Sequence, residues 1–125
     1  MSLLNRHVFK SMLQERILVF DGAMGTMLQK AGLNIGQCPE MLNLHNSEVI
    51  KNIHKQYVKS GCNIIQSNSF GANRIKLAQY GFENKLREIN EQAVKLARES
   101  ANDKTLVAGN IGPTGSLLYP LGKLT

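Results

Sequence analysis

Residues 16–26 read Arg16-Ile17-Leu18-Val19-Phe20-Asp21-Gly22-Ala23-Met24-Gly25-Thr26. Four consecutive apolar residues, three of them β-branched or aromatic, run into an acid and two glycines. A short unbroken apolar run closed by a glycine turn is the pattern of a strand buried on both faces. The pattern recurs. Residues 63–67, around Ile64-Ile65, run into Asn68-Ser69-Phe70-Gly71-Ala72-Asn73, and residues 105–108 run into Gly109-Asn110-Ile111-Gly112-Pro113-Thr114-Gly115.

Helices are expected between these strands. Residues 24–31 form a short one stopped by Gly32, and residues 33–45 are less regular. Ser47 is placed to cap a helix reaching residue 60, with Val49, Ile50, Ile53, Tyr57 and Val58 on one face. Gly61 is its natural stop. A short helix holds Ile75, Leu77 and Ala78 and closes at Gly81. A longer one over 84–100 repeats Leu86, Ile89, Ala93, Leu96 and Ala97 at helical spacing. Residues 1–16 read as a lead-in helix with Phe9, Met12 and Leu13 on one stripe; Met1-Ser2-Leu3 has the look of a cloning remnant. Strand, helix, strand, helix, strand implies parallel pairing and an α/β fold.

In parallel α/β folds the ligand site lies at the carboxyl ends of the strands. Asp21, Asn68 and Asn110 each fall at such an end, in three glycine-rich turns that converge there. Glycines admit a ligand close to the backbone, and their amides can receive an anion. Asp21 has two readings from spacing alone, a cap for the next helix or a ligand contact. Asn68 and Asn110 also suit ordinary turns. Phe70 reads first as packing, and Met24, Met27 and Met41 as core or pocket lining. His45 and His54 have no acidic or cysteine partner at useful spacing.

Composition narrows the classes. The chain has 125 residues, 42% hydrophobic and 19% charged, enough for one packed domain. Its net charge of +6 is scattered, without a basic run or interleaved aromatics, so no nucleic-acid partner is expected. No apolar run approaches the length of a membrane span and no secretory signal is visible, so a cytoplasmic protein is the default expectation. Cys38 and Cys62 lack metal-ligand spacing and read as free thiols, with Cys62 expected to be buried and Cys38 to sit in a loop. There is no G-x-G-x-x-G, P-loop or G-x-S-x-G motif.

Taken together, the 16–26 segment, Gln66-Ser67-Asn68-Ser69-Phe70-Gly71-Ala72-Asn73 and 109–115 resemble the first three strand motifs of the homocysteine S-methyltransferase family. Tyr119-Pro120-Leu121-Gly122 resembles the following segment of its cobalamin-dependent branch. The resemblance implies a TIM (β/α)8 barrel, of which this sequence supplies the N-terminal part, about three βα units. It implies homocysteine as substrate, held by Asp21, Gly22, Ala23, Gly25, Thr26, Asn68, Phe70 and Asn110. Some members carry Asp where this chain has Asn110, so its amide would accept from the substrate ammonium without charge assistance. The family methylates homocysteine sulfur as a zinc-held thiolate, and its Gly-Cys-Cys zinc motif is missing here. The resemblance therefore places zinc on ligands outside this chain, with no catalytic or metal-binding residue within it. It implies methylcobalamin and methyltetrahydrofolate in a full-length protein with downstream pterin and cobalamin modules. Donors such as S-methylmethionine or a betaine are the runner-up. Eight βα units take about 250 residues, so the expectation is an N-terminal fragment ending at Thr125 and inactive alone. The alternative is a non-catalytic binding or assembly domain that completes its barrel by oligomerising.

Overall fold

The computed structural model describes residues 4–124. The cloning-remnant reading of Met1-Ser2-Leu3 thus lies outside the described residues. The lead-in helix is α1 (Arg6–Glu15), with Asn5 accepting from the His7 amide as its cap. It has no buried residue. Three further helices precede the first regular strand: α2 (Met24–Lys30), α3 (Leu42–His45), which forms a compact corner with a 3-10 turn (Pro39–Met41), and the long α4 (Ser47–Lys59). That corner lies in the stretch expected to be irregular. Helix α4 starts at Ser47 itself; Asn46 is the cap position and gives no side-chain bond. The expected Ser47 cap is corrected on that point. Gly61 stops the helix at φ +93°, a conformation that side chains resist.

The central strand is β1 (Ile64–Gln66) and its neighbour is β2 (Leu106–Ala108), parallel, with Ile64 beside Leu106 and Gln66 beside Ala108. Between them run α5 (Arg74–Ala78), a 3-10 turn (Glu83–Lys85) and α6 (Leu86–Ser100). On the other side of β1, Phe20 makes a single parallel bridge to Ile64. The Val19 carbonyl accepts from Asn63 and Ile64 amides, and the Asp21 amide donates to the Ile64 carbonyl at 2.8 Å. Strand segments therefore neighbour one another in chain order and in one direction. That is how a barrel grows, with no reversal of strand order as in an open doubly wound sheet.

The first segment differs from expectation. Residues 17–20 do not form a buried strand: Ile17 is 89% exposed, Val19 55% and Phe20 50%. An apolar run reports a tendency to be covered, but the cover must come from a second layer, and no described element lies over this edge. Helix cover falls instead on the middle of the sheet. There α4 and α6 pack together against β1 and β2, and Ile64 and Ile65 are buried.

Two apolar clusters hold these layers. Leu28, Ile50, Ile53 and Leu96 join α2, α4 and α6. Cys38, Met41, Ala72, Leu77 and Ile89 join the 39–41 turn to α5 and α6. Cys38 lies in the loop leading into the 39–41 turn, as expected, and is buried there, while Cys62, expected buried, is partly exposed. Both thiols are free.

His54, on the inner face of α4, is fully buried, and neither ring nitrogen has a hydrogen-bond partner among the described residues. Burial holds its pKa below the ordinary 6.5, only partly offset by the field of Asp21. The unfolded chain therefore takes up this proton first as pH falls. His54's share of stability is complete above about pH 6.5 and declines below it, by at most about 1.4 kcal/mol per pH unit. Urea unfolding at pH 7.5 and 5.5 is expected to show a lower midpoint at the acid pH, and His54→Leu to flatten that difference.

Candidate functional site

The three glycine-rich turns meet at the carboxyl ends of the strands around a cleft of about 650 Å³. All eight residues expected at the site border it: Asp21, Gly22, Ala23, Gly25 and Thr26 from the first turn, Asn68 and Phe70 from the second, and Asn110 from the third. Met24, Gln66, Ser67 and Ser69 border it too, together with Pro39 and Glu40 from the unanticipated corner.

Asp21 does not cap α2, whose cap position is Ala23 and carries no side-chain bond. Its carboxylate is instead clamped by one residue. The Gln66 amide donates to Oδ2 at 3.0 Å and the Gln66 side chain to Oδ1 at 3.2 Å. Both oxygens keep a lone pair for a ligand. The first-turn amides of α2 have no capping side chain, so they remain available as anion donors. Tyr57 steadies this turn by donating to the Ala23 carbonyl at 2.9 Å. Its ring explains Gly22, where a β-carbon would lie 2.9 Å from the Tyr57 hydroxyl oxygen. Close packing of this ring against the turn is one reason for glycine there.

The second and third turns are tied through serines. Ser67 and Ser69 hydroxyls lie 2.8 Å apart, Ser69 donates to the Asn110 carbonyl at 2.7 Å, and the Asn110 amide donates to Ser67 Oγ at 3.0 Å. These bonds use Asn110's backbone and leave its side chain free to face a ligand. Asn68 is different. Its amide nitrogen donates to the Pro39 carbonyl and to Asn43 Oδ1, both at 3.0 Å, while the Asn43 side chain donates to the Asn68 carbonyl at 2.9 Å. Only the Asn68 side-chain oxygen is left for a ligand. Phe70 does not pack inside: it is 52% exposed at the cleft lip, with Lys76 Nζ 5.0 Å from its ring centre.

Glu40 is the residue that sequence reasoning missed. It is 6% exposed, borders the cleft, and accepts from the Gly71 amide at 2.6 Å. The Cys38 thiol donates to its other oxygen at 3.4 Å. Burial first, and Glu40's negative charge in addition, push the Cys38 thiol up to about 11. It stays protonated at neutral pH, unlike a reactive or metal-binding cysteine. Cys62 is raised as well, again mainly by burial.

The sequence pattern of the family described as homocysteine S-methyltransferase matches residues 18–124. The chain belongs to that family. It is 34% identical over 122 residues to methionine synthase of Mycobacterium leprae, covering 88% of this chain. It is 31% identical over 138 residues to methionine synthase of Mycobacterium tuberculosis, covering 98% of this chain. The chain spans about a tenth of those curated relatives, 10% and 12% of their lengths. Among solved structures, the metallated form of the homocysteine methyltransferase MmuM from Escherichia coli superposes with a TM-score of 0.73 at 26% identity. That match covers 86% of this chain and 42% of the MmuM chain. The oxidized form of MmuM superposes with a TM-score of 0.72 at 28% identity. The α/β architecture with its small parallel sheet is thus consistent with part of such a fold.

The Asn43–Asn68 pairing yields a prediction about the site's frame. Asn43 is fully buried and bonds through both ends of its amide. Asn43→Ala is expected to cost about 2–4 kcal/mol in urea unfolding, since it takes the Asn43 donor from the buried Asn68 carbonyl and leaves the Asn68 amide with the Pro39 carbonyl alone. Asn43→Asp, which sets a buried carboxylate oxygen against the Asn68 and Ile89 carbonyls, is expected to cost at least as much as Asn43→Ala.

Proposed function

We propose that this chain carries the amino-acid-binding part of a homocysteine S-methyltransferase. The observation that supports it best is the cleft itself, in which the family's three strand-end turns surround one clamped carboxylate and a set of free amides. Asp21 accepts from the substrate ammonium, and Gln66 holds that carboxylate in place so that little ordering cost is left for binding. The open amides at the start of α2 receive the substrate carboxylate. Asn110 offers its side-chain oxygen to the same ammonium. The thiol end of the substrate then points away from these turns, toward the rest of the cleft.

Activation of the sulfur is a separate matter. The family resemblance calls for zinc on cysteine ligands. The described residues do not fit such a site: no group of three His, Cys, Asp or Glu side chains converges among them. Cys38 is held as a protonated thiol by burial and Glu40. We therefore assign no catalytic step to residues of this chain. Zinc, methylcobalamin and methyltetrahydrofolate belong, in this reading, to polypeptide beyond these residues, as do the pterin and cobalamin modules.

A second reading, assembly through oligomerisation, draws on the uncovered apolar edge at Ile17, Val19 and Phe20. An open parallel edge with apolar side chains is a template for association. A discrete symmetric oligomer in light scattering favours it; a monomer does not.

The substrate reading is tested by amide NMR. Adding L-homocysteine is expected to shift the amides of Gly22, Ala23, Gly25, Thr26 and Asn110, and Asp21→Asn to weaken that response about tenfold or more. Spectra unchanged at millimolar homocysteine overturn the reading. Methionine formation from homocysteine and methylated donors is expected to be absent with this chain alone. Zinc-dependent turnover by the chain alone would contradict the assignment of zinc elsewhere.

A further inference from the structure

Buried charges in proteins are paired or heavily hydrogen-bonded, because leaving water unpaired costs several kcal/mol. Glu40 departs from this rule. The residue is 6% exposed, yet its carboxylate receives one backbone amide, from Gly71, and one weak thiol donor, from Cys38. Among the described residues no Lys, Arg or His forms an ion pair with it, and no Lys or Arg borders the cleft that it faces. Lys76, on the helix after the second turn, sits over the Phe70 ring instead.

The position is built, not incidental. A β-carbon at Gly71 would lie 2.6 Å from Glu40 Oε1, so the second turn is kept bare where the carboxylate meets it. Pro39 opens the 3-10 turn that carries Glu40, and the Pro39 carbonyl is bonded by Asn68. Glu40 is thus locked to the turn bearing Asn68 and Phe70, while Asp21 is locked to Gln66 on the strand before it. A carboxylate has room for about four hydrogen bonds, and Glu40 uses two within the chain.

We infer that Glu40 is a second substrate-reading carboxylate: with Asp21 it makes the cleft selective for a ligand carrying an ammonium group. The inference rests on the homocysteine reading and adds to it the group that rejects thiols lacking the α-amine. The incoming ammonium supplies the positive charge that the fold itself withholds from Glu40. A site with buried acceptors left unpaired discriminates strongly against an analogue without the matching donor.

The test compares L-homocysteine with 4-mercaptobutanoate, the same thiol acid without its amine, on the full chain. Wild type is expected to bind homocysteine more tightly, and Glu40→Gln to lose about 10–100-fold for homocysteine with little change for 4-mercaptobutanoate. Glutamine keeps an acceptor for the Gly71 amide, so the turn is preserved. Equal losses for both thiols assign Glu40 a purely structural role and overturn the inference alone. If wild type binds neither thiol, the homocysteine reading fails and this inference falls with it. A second measurement needs no variant. The side-chain carboxyl carbon resonance of Glu40 in labelled wild type is expected to move with homocysteine and not with 4-mercaptobutanoate. An identical response to both overturns the inference.

Discussion

The Gln66 amide decides both where the first strand pairing stops and where the site begins. In a regular parallel ladder this amide would donate to a backbone carbonyl of the neighbouring strand. Here it donates to the Asp21 carboxylate, and the Gln66 side chain adds a second bond to the same group. The ladder between 17–20 and β1 therefore ends in a side chain, and the chain is free to turn away through Gly22 and Ala23 into α2. One substitution of a carboxylate for a carbonyl ends the strand, orients the acid and opens the cleft.

The rest of the site is arranged around that point by chain order. Because β1 is flanked by the first segment on one side and β2 on the other, the three closing turns emerge side by side. Helices α4 and α6 supply the outer layer that keeps Ile64 and Ile65 from water. Through Tyr57, α4 also reaches the first turn from behind. The same helix layer thus fixes the core and one wall of the cleft. Its exposed opposite edge, at Ile17 and Val19, shows that this layering is incomplete within the described residues.

Much of this was legible in the sequence for a local reason. A glycine turn after an apolar run is written within ten residues, so Asp21, Asn68 and Asn110 could be placed at strand ends without knowing their neighbours. The helices over α4 and α6 were legible because periodicity records the face a helix buries. Four things were not. Burial of 17–20 depends on a second layer that no local pattern encodes. The capping reading of Asp21 fails because its carboxylate is held by Gln66, a partner that its own spacing does not reveal. Glu40 sits in a stretch without periodicity, and its partner Gly71 lies far along the chain. The one available signal was the Cys38-Pro39-Glu40 run itself, where Pro favours the first position of a helical turn. His54 was placed on its helix, but its burial without partners could not be read from spacing.

The loop of bonds through Ser67, Ser69 and Asn110 has a further property. A backbone amide only donates and a carbonyl only accepts, so the Asn110 backbone fixes both ends of the circuit. Ser69 spends its one hydrogen on the carbonyl, which leaves Ser67 as the donor between the two hydroxyls. Chains of hydroxyls usually can reverse all their hydrogens together; this one cannot. Its polarity is permanent, and each bond polarises the next in the same sense around the loop.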